Sequence, residues 1–257
     1  MKTLIVGVGG MTNGGKSTLS KTLQEKIPTS CIIAQDSFFK DDSVVPVDDN
    51  GFKQYDTLDA LHMDAMMSRV DAWRGDPQAF LRETGQTAER MTLSADHVFV
   101  LIVEGFLIFN HRPLNELMDK RYFMEIPYDI CKERRSLRVY KPPDPPGYFD
   151  GHVWPMYLKN RQKMENTVVG IVFLDGMKSK EELMAVVFQD VSQEINMLRG
   201  ELPVSYVHRS LNTLKYMFKH NAVIVFTYLQ SRIEEGASII SSAPNELEDL
   251  SVLTRPS

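Results

Sequence analysis

Residues 4–19, LIVGVGGMTNGGKSTL, restrict the possible folds more than any other stretch of the 257-residue chain. The apolar run Leu4, Ile5, Val6 and Val8 stops at a turn holding Gly10, Gly15, Lys16 and Ser17, and a helical pattern then continues through Thr18, Leu19 and Leu23. A strand that passes through G-x-x-x-x-G-K-[ST] straight into a helix is the context in which this spacing means phosphate binding. The glycines let successive backbone N–H groups curl around phosphate oxygens, and the helix N-terminus adds the positive end of its dipole. Lys16 then reaches β- and γ-phosphates, while the Ser17 hydroxyl is placed to ligate Mg²⁺. The stretch implies a bound nucleoside triphosphate.

Further strands follow. Ser30–Ala34 (SCIIA) reads as a second short buried strand after Pro28. It leaves Asp36 at a strand's carboxyl end, where open α/β sheets gather functional groups, although a carboxylate there also caps turns. Residues 40–51 form a polar, turn-rich connection, and Leu58–Trp73 is expected to be helical, with Leu61, Met66 and Val70 on one side. Residues 75–96 are a weakly patterned polar insertion without legible chemistry. Val98–Val103 is apolar throughout, as a central parallel strand covered on both faces should be. Glu104 ends it, in the place of an acid that assists Mg²⁺.

Tyr122–Ile126 is a fourth strand closed by Pro127, and Asp129–Val139 a helix bringing Arg134, Arg135 and Arg138 within about one turn. Such a cluster suits a lid over transferring phosphate, and equally a solvated face. Four prolines in residues 140–151 exclude regular helix and make a stiff loop. His152–Met164 is expected to be helical after Pro155, Val168–Leu174 to be a fifth strand, and Glu181–Leu198 to be an amphipathic helix stopped by Gly200 and Pro203. Beyond residue 201 the character changes. Leu211–Arg232 fits helix or strand, and the Ser-rich, acidic end reads as disordered.

Composition removes several classes of function. With a net charge of −5 the chain has no broad polyanion-binding face, so nucleic acid is not an expected partner. The apolar run Ala222–Leu229 is far shorter than the ~20 residues of a spanning helix. The N-terminus reads as a core strand rather than a secretory leader. Cys31 and Cys131 form no C-x-x-C and read as reduced, buried thiols of an intracellular protein, without a zinc site or disulfide.

GGMTNGGKST at the turn, QDSFFK at 35–40, QYD at 54–56, EGF at 104–106, RRSLRVY at 134–140, PGYFDGHVWPMY at 146–157 and LDGMKS at 174–179 together resemble the nicotinamide riboside kinase family, its type 2 branch most nearly. The resemblance covers roughly residues 1–199. It implies a P-loop nucleoside kinase-like α/β fold: a five-stranded parallel sheet with helices on both faces, carrying a lid around 129–151. Residues 200–257 would be a divergent, partly disordered C-terminal extension whose protein partner is unknown. The implied activity is ATP-dependent phosphorylation of the 5′-hydroxyl of nicotinamide riboside, and of nicotinic acid riboside, in cytoplasmic NAD biosynthesis.

Carried over by matching motif, Asp36 accepts the hydroxyl proton, and Lys16 and Arg138 assist catalysis. ATP would meet Gly10, Thr12, Asn13, Gly14, Gly15, Lys16, Ser17 and Thr18, with Arg134, Arg138 and Tyr140 from the lid and Lys178, Ser179 and Lys180 from the adenine-side loop. The riboside would meet Asp36, Ser37, Phe38, Phe39, Tyr55, Asp56, Arg135 and Tyr140. Ser17 stands where relatives often have Thr, and would hold Mg²⁺ with Asp36 and Glu104. Tyr55 and Tyr140 could flank the cationic pyridinium for ~0.5–2 kcal/mol each.

A uridine or cytidine kinase remains an alternative within the same enzyme class. A GTP-driven switch is disfavoured, because no N-K-x-D guanine-reading motif is present. An interaction module acting through the divergent tail is a third reading. The sequence leaves open the choice between ATP and GTP and the oligomeric state.

Overall fold

Five parallel strands lie in the order β2-β3-β1-β4-β5 in a computed structural model that describes residues 1–84 and 97–201. They are β1 (Lys2–Gly10), β2 (Ser30–Ala34), β3 (Val98–Glu104), β4 (Lys120–Glu125) and β5 (Ile171–Asp175). The sheet has the expected strand number and direction, and helices cover both faces. Met1–Glu201 form one unit and Leu202–Ser257 a second. The readings of Leu211–Arg232 and of the acidic tail lie outside the described residues, as does the part of the polar insertion from 85 to 96. No helix among the described residues is long and apolar enough to cross a membrane.

The central strands are apolar through Leu4–Val8 of β1 and Val98–Val103 of β3 because both faces are buried there. Leu4, Val6 and Val8 of β1 and Val98, Val100 and Ile102 of β3 pack on helix α1 (Lys16–Lys26) and helix α7 (Lys180–Arg199). Their neighbours Ile5, Phe99, Leu101 and Val103 point the other way. There they meet Met66, Val70 and Trp73 of helix α2 (Met63–Gly75) and Met164 of helix α6 (Trp154–Thr167). A polar clasp adds to α7's apolar face: the Tyr122 hydroxyl of β4 donates to Asp190 at 2.5 Å, and Lys120 pairs with Asp190 and Glu194 at 3.0 and 3.1 Å.

Several boundaries differ from the sequence reading. The helix expected from Leu58 starts at Met63, because Leu58–Ala60 form a 3₁₀ turn and Leu61 bridges antiparallel to Phe39. The His62 N–H donates to the Phe38 carbonyl at 2.8 Å, so this backbone ties down the segment after Asp36 instead of extending α2. Intrinsic helix propensities differ by only ~0.7 kcal/mol per residue, and burial of Leu61, worth about 1.5–3 kcal/mol, outweighs them.

The polar insertion begins with a helix, α3 (Pro77–Glu83), where Asp76 accepts from the Ala79 N–H at 2.9 Å and Pro77 occupies the first turn. A further single turn, α4, covers Arg112–Asn115. The stiff loop ends sooner than expected, in a π-helical turn over Phe149–Val153 that buries Phe149, His152 and Val153 and runs straight into α6. Strand β5 starts at Ile171 rather than Val168: the Val168 N–H still closes α6, and Gly170 turns with φ +73°. Helix α5 (Tyr128–Ser136) matches its expectation to within a few residues, the ordinary spread of helix ends.

Helix α7 carries a complete capping box, with the Ser179 hydroxyl accepting from Glu182 N–H and the Glu182 carboxylate accepting from Ser179 N–H. Ser179→Ala should destabilise the folded protein by about 1 kcal/mol, seen as a lower midpoint in denaturant titration. A midpoint unchanged from wild type would show that the cap adds nothing to stability.

Candidate active site

Backbone geometry alone builds the phosphate cradle. Gly10 pairs with Met124 at the end of β1 and has φ +133°, and a side chain there would sit 2.3 Å from the Met124 carbonyl oxygen. Gly15, at φ +99°, turns the chain into α1. Asn13 between them also adopts a left-handed conformation, φ +57°, which asparagine tolerates better than most residues. Lys16 Nζ donates to the Met11 carbonyl at 3.0 Å, spanning the turn. Burial lowers the pKa of this ammonium, against the opposing pull of Asp36 and Glu104.

Two acids arrive beside Lys16 through strand register. Glu104 of β3 lies opposite Ala34 of β2 and Val8 of β1, so the carboxyl ends of three strands coincide there. Asp36 follows Ala34 in a 3₁₀ turn (Gln35–Phe38), and its side chain is exposed to the cleft. Glu104 is only 9% exposed, and burial raises its carboxyl pKa against a hydrogen bond from Ser17 and the charge of Lys16. Its Oε2 is buried without a hydrogen-bond partner. That orphaned oxygen, the neighbouring Ser17 hydroxyl and the Asp36 carboxylate are all hard oxygen donors. They fit Mg²⁺, which takes one or two carboxylates and leaves its other positions to phosphate and water.

Gln35 was not legible as part of this arrangement. It is fully buried and its Oε1 accepts from the Leu107 N–H at 2.9 Å, clamping the segment after Glu104 to the one that carries Asp36. Gly105 lets the two approach, since a side chain there would meet Gln35 at 2.5 Å.

Arg134, Arg135 and Arg138 of the expected lid converge on Thr12 and Asn13 of the cradle. Arg134 Nη1 donates to the Asn13 carbonyl at 3.4 Å and Arg138 Nη1 to Asn13 Oδ1 at 3.3 Å, while Asn13 Nδ2 donates to the Tyr140 hydroxyl at 3.2 Å. Arg135 faces inward. It forms a two-pronged pair with Asp144 at 2.6 and 3.0 Å and reaches Thr12 Oγ1 at 3.5 Å. Asp144 comes from the proline-rich loop, whose stiffness thereby fixes Arg135; the sequence offered no sign of the partnership. Cys131 on the same helix is buried, donates to the Thr12 carbonyl at 3.3 Å, and is pushed up to about 11 by burial.

The expected riboside residues divide into groups. Tyr55 donates its hydroxyl to Asp42 and sets its ring edge-on to Phe39, which stacks on Phe106 at 5.7 Å. Tyr140 has the Arg135 guanidinium 4.3 Å from its ring centre and Arg138 at 5.3 Å. Its ring is therefore already packed by lid arginines, and of the two tyrosines expected at the pyridinium only Tyr55 joins the Phe39–Phe106 pair. Asp56 lines a small cavity with Gly10, Thr12 and Phe106. Ser37 is exposed, whereas Phe38 packs against the core. Thr18 is exposed on α1.

The adenine-side loop abuts the cradle at Gly176, whose N–H donates to the Glu125 carbonyl at 2.7 Å and where a side chain would come within 3.3 Å of the Gly14 carbonyl oxygen. Lys178 and Lys180 are exposed, and the Ser179 hydroxyl is committed to the α7 cap.

Lys16→Met should remove most turnover, since the lost charge neutralises phosphate chiefly during transfer. It should not lower the melting temperature of the nucleotide-free protein, because burial already disfavours the ammonium. Calorimetry beside a turnover assay checks both, and near-native kcat would dissociate this loop from catalysis.

A family profile described as "AAA domain" matches residues 6–155. Nicotinamide riboside kinase 1 of Rattus norvegicus is 52% identical over 201 residues, covering 78% of this chain and 100% of the relative. Nicotinamide riboside kinase 2 of Homo sapiens is 50% identical over 192 residues, covering 75% and 82% respectively. The two identities nearly coincide, so identity does not rank the branches. A solved sugar kinase from Janibacter sp. HTCC2649 is similar with a TM-score of 0.45 and 14% identity, covering 75% of this chain and 98% of that one.

Proposed function

The chain belongs to the nicotinamide riboside kinase family, and from that premise we propose that it transfers the γ-phosphoryl group of ATP to the 5′-hydroxyl of nicotinamide riboside, forming the mononucleotide for NAD biosynthesis. The observation that carries this reading is the meeting of Lys16, Asp36 and Glu104 at the adjoining ends of β1, β2 and β3.

Phosphoryl transfer asks the protein for positioning and charge stabilisation more than for covalent chemistry. The N–H groups from Gly10 to Ser17 and the Lys16 ammonium hold the β- and γ-phosphates. Ser17, Asp36 and Glu104 would hold Mg²⁺, which when bound would supply positive charge against the negative charge of the phosphates. Asp36 accepts a hydrogen bond from the riboside 5′-hydroxyl, aims its oxygen at the γ-phosphorus, and takes the proton late as the new P–O bond forms. Arg134 and Arg138, poised on Asn13, face charge that builds on the transferred group and on the departing ADP. Lys178 and Lys180 flank the adenine side.

Riboside recognition falls to the other half of the cleft. Asp56 and Arg135 suit the ribose hydroxyls, and the Tyr55, Phe39 and Phe106 rings suit a cationic pyridinium, a contact worth ~0.5–2 kcal/mol where water is excluded. Nicotinic acid riboside carries the same ribose and ring and is expected as a second substrate. Buried free thiols at Cys31 and Cys131 accord with a cytoplasmic enzyme.

A coupled assay over nicotinamide riboside, nicotinic acid riboside, uridine and cytidine tests the assignment. The pyridine ribosides should have the highest kcat/KM, and a preference for uridine or cytidine would overturn it. In the same assay Asp36→Asn should lower kcat by ~10²–10⁴ with ATP affinity little changed. Native-like turnover of that variant would remove Asp36 from the mechanism.

A further inference from the structure

The loop before α6 buries a histidine directly behind Asp56. His152 is 3% exposed, and its ring stacks on Tyr148 with centroids 5.0 Å apart and planes 18° from parallel. Gln54 Nε2 donates to the Phe52 carbonyl at 2.9 Å and lies 3.2 Å from His152 Nδ1. One amide nitrogen thus offers one proton to a carbonyl and the other to the imidazole, so Nδ1 accepts and the ring proton resides on Nε2. That Nε2 is buried without a hydrogen bond, and the Asp56 carboxylate stands 3.4 Å from it at Oδ2.

Asp56 is held by its backbone as well, since Asn160 Nδ2 donates to its carbonyl at 2.9 Å. Its side chain keeps 19% exposure and lines the cavity beside Thr12, the residue that Arg135 reaches from the opposite side.

We propose that His152 is a positioning residue for the riboside: when the riboside binds, the unpartnered Nε2–H takes up the neighbouring Asp56 carboxylate and holds it toward the ribose hydroxyls, with Gln54 fixing the tautomer that makes this possible. The proposal rests on the reading of Asp56 as a ribose ligand. Stacking on Tyr148 explains a flat ring at this position but not its nitrogens. A phenyl ring would stack as well without placing a polar atom where water cannot reach. The Asp56 carboxylate is the group that lies beside this buried donor. Asp56 thereby works as a pair with Arg135, which Asp144 fixes in the same way from the proline-rich loop.

Steady-state kinetics of His152→Phe, His152→Gln, Gln54→Met and Asp56→Asn, with nicotinamide riboside and ATP varied in turn, tests this. His152→Phe keeps ring and stack but removes the donor, and should raise the riboside KM about 10-fold or more, the scale of a hydrogen bond to a charged group. Its KM for ATP should stay within twofold of wild type, by roughly the same reasoning. His152→Gln returns an N–H near the Nε2 position and should recover most of the loss. A riboside analogue without the 2′- and 3′-hydroxyls should not distinguish His152→Phe from wild type.

If Asp56→Asn raises the riboside KM while His152→Phe leaves it unchanged, the proposal is wrong and the ribose reading stands. If Asp56→Asn itself has no effect, the ribose reading fails and the proposal falls with it. Equal loss for riboside and ATP, or no recovery in His152→Gln, would reduce His152 to a structural pin. Should His152→Phe fail to fold, Gln54→Met decides: a riboside-specific rise in KM supports the relay, and an unchanged KM overturns it.

Discussion

Strand β1 is hydrogen-bonded on both sides, to β3 and to β4, and the active site depends on that central placement. Because its neighbours are parallel, their carboxyl ends finish on the same rim as the turn from Gly10 to Lys16. The register delivers Glu104 beside Val8, and the next strand along delivers Asp36 two residues past Ala34. On the other flank, β4 supplies Met124, whose backbone requires a residue without a side chain at Gly10. A slip of one residue in these pairings would turn every core side chain to the opposite face. The apolar packing on both faces therefore fixes where Lys16, Asp36 and Glu104 stand as well as the stability of the sheet.

The rim concentrates charge that the fold itself does not favour. Lys16 and Glu104 are each shifted toward their neutral forms by burial, and each is drawn back by the other. Arg134 and Arg135 in the last turn of α5 and Arg138, two residues past its end, crowd together, a repulsive arrangement in isolation. One of them, Arg135, is neutralised by Asp144, while Arg134 and Arg138 rest on neutral acceptors of Asn13. Such groups are stabilised in full only when an anion of high charge lies among them. Asn13, in the turn before α1, is touched by three side chains of this segment: Arg134, Arg138 and Tyr140.

Much of this was legible in the chain. Four of the five strands announce themselves as short β-branched runs, and the candidates Lys16, Asp36 and Glu104 that motif and position mark at their ends are brought together by the fold. Residues that act through long-range contact could not. Gln35 looks like any polar residue after a strand until its amide is seen to bond the backbone 72 positions away. Asp144 falls unmarked within the proline-rich loop, and His152 reads only as the first residue of an expected helix. Helix α2 was misplaced for a related reason: the alternation from Leu58 is apolar enough for a helix, but Leu61 is claimed by a bridge to Phe39 that only the folded chain provides. Tyr140 was expected at the pyridinium, and its neighbours at Arg135 and Arg138 emerge only when the chain folds back after α5.

The central claim is that the rim of this sheet joins the γ-phosphoryl of ATP to the 5′-oxygen of a pyridine riboside. Phosphorus NMR of a mixture of the protein, Mg²⁺, ATP and nicotinamide riboside tests it most directly, because the coupling pattern reports which carbon bears the phosphate. The account predicts ADP together with a phosphomonoester signal split into a triplet by the two protons of the 5′-methylene. Inorganic phosphate as the only new signal besides ADP, or a doublet from a phosphate on a ring carbon of the ribose, would contradict it.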